Sequence, residues 1–404
     1  MKPISSKWLL PSLVALYSLN LMDRSVLAVV GETMKIDMGF SDGQLGLLHS
    51  VLLITLIFVI FPGAVINDIW SRRKFIALGA AVWSAAMAGT AMAASFMTLC
   101  LARMLASANE GSTGSGGTAW LSQHYPAEKR SRVLGIFQMG APLGMALGTL
   151  LGGGILYLTG NWRCCFLIFV VPALILSVIV FRLPDEQRPS GENYFSGIPV
   201  LLRRRTLVFT ALAGGTFCII KYAWQSWLPV LLMRSYNIES SRAALISACL
   251  LLAGACGPCL GGMLADFWAR HSPNGRVRAA ALCMLLILIG NSIFYYAAGK
   301  ASLTMLSLLG MVDSVILMMP IPIYFSITQD VVEDRYRGGM TGLLGTMMFL
   351  FGGAWGPVLT GFLSDLFGGG GSGLLKALVV LQVFALMSCI FYMLEMKIYL
   401  REKQ

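Results

Sequence analysis

Long apolar segments follow one another along almost the whole chain, and no other feature limits its fold as strongly. A helix that crosses the hydrocarbon core of a bilayer needs about 20 predominantly apolar residues. Twelve segments meet this requirement, near residues 8–30, 44–67, 74–95, 97–121, 133–159, 163–183, 206–233, 241–267, 278–298, 302–328, 338–366 and 374–400. The sequence therefore predicts an all-α membrane protein with twelve transmembrane helices.

The composition excludes the main alternatives to this class. Apolar residues make up 57% of the 404 residues and charged residues only 12%, whereas a soluble domain is about 25% charged. A soluble enzyme, a disordered chain and a nucleic-acid-binding protein do not have this composition. Most of the nine cysteines lie in apolar segments, where a thiol acts as a small hydrophobic group. We therefore expect no disulfide, and we predict neither a metal nor a cofactor.

One long connection divides the chain into two halves of six segments each. It runs from Pro184 to Arg205 and is rich in Pro, Gly and Arg, whereas most other connections are short. The predicted division is an N-terminal half at 1–183, a cytoplasmic central loop at 184–205 and a C-terminal half at 206–404.

A polar loop is repeated at the equivalent place in each half. Gly63-Ala-Val-Ile-Asn-Asp68 precedes Arg72 and Arg73 in the first half, and Gly261-Gly-Met-Leu-Ala-Asp266 precedes Arg270 and Arg276 in the second. Two such halves are typical of a transporter that opens a central site alternately to either side of the membrane. We predict that Asp68, Arg72, Arg73 and Asp266 form a latch on the outward-open state of this cycle. The alternative interpretation is a topology signal.

The distribution of Lys and Arg predicts the orientation in the membrane. With both termini placed inside, the inner segments hold 21 of the 30 basic residues and the outer loops hold 6. Cytoplasmic loops are enriched in basic residues, so both termini are predicted to be cytoplasmic. Lys2 and Lys7 precede the first apolar segment as in a signal peptide, but we expect this segment to be retained as the first helix. We expect the inner membrane as the location.

Six charged residues are predicted to lie deep inside the spans rather than at their ends, and each costs at least ~2.5–3.5 kcal/mol near a helix centre. They are Asp23, Arg24, Arg103, Glu110, Lys221 and Asp313. They fall in spans 1, 4, 7 and 10, the same position in each three-helix repeat. Charged residues inside a membrane normally face a cavity and pair with one another, so this set indicates a functional site.

The first four of these charges suggest proton coupling. Arg103 and Glu110 are seven residues apart and therefore lie on the same face of a helix. Burial raises the pKa of a carboxylate and a nearby Arg lowers it, so Asp23 and Glu110 are the candidate proton carriers. Arg24 and Arg103 are candidates for binding an anionic substrate or for setting those pKa values. The alternative is that the four charges form internal salt bridges that hold helices together.

The seventh span offers a second set of candidate substrate contacts. Its segment Lys221-Tyr-Ala-Trp-Gln-Ser-Trp227 interrupts the apolar run with aromatic and polar side chains. Lys221, Tyr222 and Gln225 are predicted to contact the substrate. For Lys221 and Asp313 a simple pair with one another remains an alternative.

The repeated loop and the span 1 and span 4 charges resemble a known family. Asp68-x3-Arg72-Arg73 resembles the signature loop of the major facilitator superfamily, although Ala64 and Ile69 stand where that pattern usually has Gly and Arg. The resemblance covers essentially the whole chain. It implies the major facilitator fold, with two pseudo-symmetric halves of six helices each.

Two branches of that family share the charged pattern. Asn20-Leu-Met-Asp23-Arg24 and Arg103-x6-Glu110 resemble both the anion:cation symporter family and the Spinster-like family, which moves lysolipids and other amphiphiles. The resemblance implies proton carriage by Asp23 and Glu110, and contacts of Arg24 and Arg103 with these carboxylates or the substrate. In the second half, Trp227-Leu-Pro-Val-Leu-Leu and the glycines of span 11 look like patterns of the anion branch.

The predicted function is proton-coupled symport of a small organic anion. The alternative is a proton-coupled exporter or flippase of a lysolipid, another amphiphile or a drug. A receptor or a redox enzyme on the same scaffold is disfavoured, because neither a soluble domain nor exposed cysteines are visible in the sequence. The predicted partners are a small-molecule substrate of anionic character, protons and the lipid bilayer, with no nucleic acid, and we expect a monomer.

Overall fold

The structure, a computed structural model, describes residues 6–184, 203–332 and 337–403. Within these ranges it is built from α-helices, a few helical turns and short connections, without a β-strand. The first half contains α1 (Leu9–Met38), α2 (Asp42–Ile69), α3 (Arg72–Met92), α4 (Phe96–His124), α5 (Ala127–Thr159), α6 (Trp162–Leu167) and α7 (Val170–Phe181). Most of the predicted central loop, residues 185–202, lies outside the described residues.

The second half has more helices because most of its spans are interrupted. It contains α8 (Arg205–Tyr236), α9 (Ser240–Gly254), α10 (Gly257–His271), α11 (Gly275–Ala297), α12 (Leu303–Met318), α13 (Pro320–Asp330), α14 (Arg337–Met348), α15 (Gly356–Leu366), α16 (Gly370–Val380) and α17 (Val383–Lys403). A π-helical turn, Phe349–Gly353, lies between α14 and α15.

These helices account for the twelve predicted spans. Eleven helical segments of the described chain are long and apolar enough to cross a membrane. The remaining predicted span is α4, which is 29 residues long, rich in small polar residues and the carrier of Arg103 and Glu110. The all-α membrane fold predicted from the sequence is confirmed.

Two long helices extend beyond their predicted ends. The first span was predicted to end near residue 30, but α1 continues to Met38 and stops at Gly39, which has φ +69°. Likewise α8 continues to Tyr236 and stops at Asn237, with φ +49°. A helix commonly ends where a residue can adopt the left-handed conformation, which Gly and Asn tolerate best. Polar residues near the ends of the apolar runs do not terminate these helices.

The chain forms two compact units, each with its own internal contacts. The first consists of the described parts of Met1–Phe40, Val51–Glu192 and Glu239–Ala248, and the second of those of Ser41–Ser50, Asn193–Ile238 and Cys249–Gln404. Each unit is therefore mainly one half of the chain, with a short segment from the other half. The two exchanged segments begin 198 residues apart, the same separation as that of Asp68 and Asp266 in the repeated loops.

In the first unit, a stripe of glycines brings α5 close to α1. A Cβ atom at Gly144 would lie 2.3 Å from the Ser18 carbonyl oxygen, and one at Gly148 would lie 2.3 Å from that of Met22. Small residues allow backbones to approach this closely inside a membrane. This packing uses the Ser18–Met22 face of α1, so Asn20 and Asp23 are left to face α4.

Candidate functional site

Asp23 and Arg103 form a fully buried ion pair between α1 and α4. Arg103 Nη1 donates to Asp23 Oδ1 over 2.7 Å, and each side chain is only 1% exposed. The guanidinium carbon of Arg103 also lies 5.8 Å from the centre of the Phe166 ring. Two charges without water around them are tolerated only in such close geometry. This pair is therefore a fixed contact between the two helices in the described conformation.

Arg24 and Glu110 form a second ion pair between the same helices, in a different environment. Arg24 Nη2 donates to Glu110 Oε2 over 2.5 Å. The Arg24 side chain is 17% exposed and the Glu110 side chain 19%. This pair is therefore partly exposed, whereas the pair of Asp23 and Arg103 is enclosed by the protein.

The two pairs give the site a net formal charge of zero. Each helix supplies one acid and one base, so that neighbouring residues of α1 bind residues of α4 that are two turns apart. The sequence placed Arg103 and Glu110 on one face of α4, and both do contact α1. It did not indicate which carboxylate pairs with which arginine. If one of these four side chains gains or loses a proton, or if an anion binds without a proton, the site is left with a net charge. Such a charge is unfavourable because the site is mostly buried.

Buried amides flank the ion pairs, and sequence reasoning missed them. Asn109 Nδ2 donates to Asn20 Oδ1 over 2.7 Å, and the Thr113 hydroxyl donates to Asn109 Oδ1 over 2.8 Å. Asn20 and Asn109 are 4% and 0% exposed, and Asn20 Nδ2 has no partner among the described residues. The available signal was spacing: Asn20 precedes Asp23 by three residues, and Asn109 adjoins Glu110. Asn20 therefore offers a spare donor beside the pairs.

Lys221, Tyr222 and Gln225 lie on α8 in the second unit. All three are partly exposed. Lys221 Nζ lies 4.9 Å from the centre of the Tyr222 ring, and that ring is 5.6 Å from the Phe349 ring in the π-helical turn. A cation held over an aromatic face is attracted to the ring, so the two side chains form one polar and aromatic surface. Their contact with a substrate remains a prediction.

Asp313 has a neutral neighbour. Its carboxylate is 2% exposed on α12 and lies against the side-chain amide of Asn291 on α11. Among the described residues, Asp313 and Lys221 form no ion pair. The alternative of a simple pair between these two residues therefore finds no support in this conformation.

The repeated loops contain different contacts in the two units. The side chain of Asp68 lies outside the described residues. Arg72 Nη1 donates to Gln123 Oε1 over 2.6 Å, and Arg73 Nη1 donates to the Leu183 carbonyl oxygen over 3.2 Å. Arg72 and Arg73 thus connect the loop to the ends of α4 and α7. Their role as a latch stays a prediction.

In the second unit the equivalent loop belongs to an ion cluster that was not predicted. Arg276 lies 3.7 Å from Asp266 and also donates a short hydrogen bond to Asp330. Asp330 in turn accepts from Tyr399 and lies 3.4 Å from Lys403 Nζ. Asp330 is at the end of α13, next to residues whose structure is not described, and nothing in its sequence context distinguished it from an ordinary loop carboxylate.

The structure adds a carboxylate to those predicted inside the spans. Glu395 on α17 is 0% exposed, and Thr210 Oγ1 donates to its Oε1 over 2.5 Å. Its other oxygen has no partner in the described part of the chain. The expectation that span charges occur only in spans 1, 4, 7 and 10 is therefore wrong. Lys397 and Arg401 follow so closely that Glu395 resembled part of the charged helix end.

The fold and the paired intramembrane charges define a class: polytopic α-helical membrane proteins that act as transporters. The family model of the Major Facilitator Superfamily matches residues 13–357. The chain therefore belongs to the Major Facilitator Superfamily and is a transporter rather than an enzyme.

The sequence is similar to both branches suggested by the motifs. The hexuronate transporter of Bacillus subtilis (strain 168) is 26% identical over 368 residues, which cover 86% of this chain and 85% of that protein. Protein spinster homolog 1 of Rattus norvegicus is 25% identical over 379 residues, 86% of this chain and 71% of that protein. The sphingosine-1-phosphate transporter SPNS2 of Xenopus tropicalis is 24% identical over 371 residues, 86% of this chain and 72% of that protein.

The same fold is found in a solved structure. The crystal structure of a bacterial homolog of the human lysosomal transporter Spinster has a TM-score of 0.87 with this structure at 22% identity. The alignment covers 98% of each chain. This likeness shows that the two proteins share their fold over essentially their whole length.

Proposed function

We propose that this transporter is a proton-coupled symporter of a small organic anion that works by alternating access. The observation that supports this most is the accessible pair of Arg24 and Glu110 beside the buried pair of Asp23 and Arg103. The accessible pair offers an arginine that an anion can reach and a carboxylate that can take up the proton. The buried pair keeps the local charge balanced.

The coupling follows from charge balance. While Glu110 is ionised, its carboxylate binds the Arg24 guanidinium, so an anionic substrate has to compete with Glu110 for this guanidinium. Once Glu110 takes up a proton, its attraction for Arg24 falls, and the guanidinium can bind the substrate instead. A planar guanidinium binds carboxylate or phosphate through two parallel hydrogen bonds. One proton and one negative charge then cross together, and the site keeps its net charge of zero.

The substrates named for two of the relatives support an anionic substrate. A hexuronate carries a carboxylate, and sphingosine 1-phosphate carries a phosphate. The two substrates differ in almost everything except this anionic group. For the second unit, contact of Lys221 and Tyr222 with the substrate is proposed from the polar and aromatic surface that these two side chains form. We further propose a monomer in the inner membrane. Both termini are proposed to lie in the cytoplasm, because the 21 to 6 distribution of basic residues favours this orientation.

Transport in proteoliposomes tests the proposal. A panel of sugar acids, other organic anions, amino acids and lysolipids is added under an imposed pH gradient, with a pH-sensitive dye to follow proton flux. We expect an anion to move protons in the same direction as itself. Glu110→Gln should abolish accumulation against the gradient but retain exchange of labelled substrate, because the neutral amide resembles the protonated acid.

Arg24→Gln tests the substrate contact separately. A hydrogen bond to a charged group contributes about 1.5–3 kcal/mol, so binding of the anion should weaken roughly 10- to 100-fold. Asp37→Asn is the matched control, because Asp37 is a carboxylate of the same helix whose side chain is 47% exposed in its pair with Arg163. Proton-driven accumulation that survives in Glu110→Gln, or unchanged affinity in Arg24→Gln, contradicts the proposal.

The second candidate function is proton-coupled export or flipping of an amphiphile. It is favoured by the similarity to SPNS2, whose named substrate is an amphiphile. Both functions use the same anion contact, so the charged site does not separate them. The panel does: proton flux with lysolipids but with none of the small anions would replace the first proposal by the second.

A further inference from the structure

A cavity of about 630 Å³ lies in the second unit, and none of the four paired charges lines it. It is formed by the end of α11, the residue Phe367 and one side of α16. Its wall remains exposed at Tyr296, Val379 and Val380, which are 74%, 49% and 45% accessible. Sites for small molecules have volumes of about 300–1,000 Å³, so this cavity can hold a ligand or part of one.

The lining of this cavity combines an apolar wall with two cations. Leu375, Val379 and Val380 supply aliphatic surface, whereas Lys300 and Lys376 supply ammonium groups. Lys300 Nζ lies 3.7 Å from the centre of the Tyr296 ring. None of the described residues that line the cavity is acidic. A ligand that fits these walls has an apolar part and an anionic group.

The two lysines lie at one end of the unit. The start of α11 carries Arg276 and the end of α17 carries Lys403, and these two residues meet at Asp330. Lys300 follows the other end of α11, and Lys376 lies on α16. In the predicted orientation, the outer loops contain only six basic residues. Two of these six, Lys300 and Lys376, line this cavity. Such a concentration is unexpected where basic residues are few.

We propose that this cavity binds an anionic phospholipid. The phosphate lies between Lys300 and Lys376, and an acyl chain lies along Leu375, Val379 and Val380. The site is separate from the proposed substrate site, because its lining residues include neither the four paired charges nor Lys221 and Tyr222. A basic residue near an anionic lipid contributes roughly a fivefold increase in affinity.

The test measures the melting temperature of the purified transporter in detergent with added lipid. Phosphatidylglycerol should stabilise the protein more than phosphatidylcholine, and inorganic phosphate should have no effect. In the double variant Lys300→Gln/Lys376→Gln the affinity for phosphatidylglycerol should fall roughly 20- to 30-fold, because two contributions of about fivefold are lost. Val379→Trp should block the cavity and remove the response to phosphatidylglycerol.

Arg242→Gln is the matched control, since it removes a basic residue from the same predicted side outside the cavity. An undiminished response in the double variant, equal stabilisation by phosphatidylcholine, or full stabilisation by inorganic phosphate alone overturns the proposal. None of these results depends on transport. Failure of this proposal is therefore distinguishable from failure of the proposed symport.

A second inference rests on a different observation, the chain of hydrogen-bonded side chains that leads from Gln382 in the cavity wall to Asp313. One terminal atom of the Asn291 amide lies 2.7 Å from Asp313 Oδ2, and the other lies 3.0 Å from Gln382 Oε1. Gln382 Nε2 donates to the Leu378 carbonyl oxygen over 3.2 Å. Asn291 is 0% exposed and Gln382 is 6% exposed. Asn291 is therefore shielded from water, whereas Gln382 also lines the cavity.

In this set of hydrogen-bonded side chains, every donor faces an acceptor in only one protonation state of Asp313. Gln382 donates its Nε2 to Leu378, so its Oε1 faces Asn291. Asn291 therefore donates its Nδ2 to Gln382, and its own Oδ1 faces Asp313. Two oxygens 2.7 Å apart are at the usual distance of an O–H···O bond, which needs a proton on Asp313. If Asp313 is ionised, Asn291 has to turn, its oxygen then faces the oxygen of Gln382, and Gln382 has to give up its bond to Leu378.

We infer that Asp313 is a neutral carboxylic acid that donates its proton to Asn291. In the described chain no cation pairs with Asp313, and the titratable side chain that faces it is Tyr295 of α11. A buried charge without a partner is strongly unfavourable. The acid therefore keeps its proton while the amide chain is intact, and it is a proton-binding group in the second unit besides Glu110, the proposed proton carrier in the first.

Infrared difference spectroscopy tests this protonation state at neutral pH. A protonated carboxylic acid has a carbonyl stretching band that an ionised carboxylate lacks. We expect Asp313→Asn to remove one such band without lowering the melting temperature, because the amide resembles the neutral acid. Glu395→Gln is the control, since it removes a different buried carboxyl group. The complete set of acid bands persisting in Asp313→Asn, or a large loss of stability, overturns the inference.

Discussion

At the scale of single residues, two ion pairs of similar length have different surroundings. Arg103 and Asp23 are 1% exposed, whereas Arg24 and Glu110 are 17% and 19% exposed. A buried charge that loses its partner cannot be compensated by water, but an accessible one can. The buried pair is therefore suited to holding α1 against α4. The accessible pair is suited to exchanging partners during transport.

A double-mutant cycle measures this difference through stability. Breaking a buried ion pair by removing one partner costs about 3–5 kcal/mol, so Asp23→Asn and Arg103→Gln should each be strongly destabilising. The double variant should be more stable than either single variant, because no unpaired charge remains. The measurement is the free energy of unfolding in detergent or its change in melting temperature.

The pair of Arg24 and Glu110 provides the comparison. The same cycle with Arg24→Gln and Glu110→Gln should show a smaller coupling, because water can solvate the remaining partner. Equal coupling energies in the two cycles would mean that the difference in exposure has no energetic consequence.

The residue types of this site were predictable from the sequence, but their pairing was not. A charge inside an apolar segment is visible in the sequence, which is how Asp23 and Glu110 were found. Which groups meet depends on the rotation and depth of each helix, and these are set by packing such as that of Gly148 on Met22. The sequence does not reveal neutral partners such as Asn291, because a single amide side chain in an apolar span is common.

At the scale of helices, proline divides the spans of the second half. Pro258, Pro320 and Pro357 each lie in the first turn of the second helix of an interrupted span. Proline is favoured in a first turn because its missing N–H is not needed there. The sequence predicted the spans correctly but as single helices. Proline also occurs inside unbroken helices such as α8, at Pro229, so its presence alone did not indicate where a helix would be divided.

The contact between α1 and α5 gives a prediction at this scale. Gly148→Ala places a methyl group where a Cβ would lie 2.3 Å from the Met22 carbonyl oxygen. Overpacking of this kind costs about 1–3 kcal/mol, so the melting temperature should fall. Because α1 carries Asp23 and Arg24, transport should fall as well.

The same helix provides a matched control. A Cβ at Gly154 meets no atom within 4 Å. Replacing a helical glycine by alanine in open space is stabilising by roughly 0.5–1 kcal/mol, so Gly154→Ala should retain or raise the melting temperature. A loss of stability in both variants would show that glycine at these positions acts through backbone flexibility rather than through close packing.

At the scale of the whole molecule, α2 belongs to both compact units. Its residues up to Ser50 pack with the second unit, whereas Val51 and those that follow pack with the first. Since α2 is one continuous helix, bonds within the second unit hold its first residues. We expect the proposed transport cycle to act on these bonds.

Those bonds form a dense polar cluster within the second unit. Arg234 binds both carboxylate oxygens of Asp42 over 2.7 Å, and the Ser364 hydroxyl donates to Asp42 Oδ2 over 2.7 Å. The Asp365 carboxylate accepts the backbone N–H groups of Asp42 and Gly43, at 3.0 and 2.7 Å. The positive end of the helix is thereby bound to a negative charge, which is a favourable arrangement.

Breaking this cluster should release the start of α2. Arg234→Gln leaves Asp42 buried without its cation, and the loss of one partner of a buried pair costs about 3–5 kcal/mol. Leu45, one turn later, is 0% exposed, so a cysteine placed there by Leu45→Cys should be protected from a membrane-impermeant maleimide. Adding Arg234→Gln should increase its labelling severalfold above that of the parent cysteines. Arg163→Gln is the control, because its pair with Asp37 has the same length of 2.7 Å but is exposed. Equal labelling with and without Arg234→Gln would mean that apolar packing, and not the ion pair, holds α2 on the second unit.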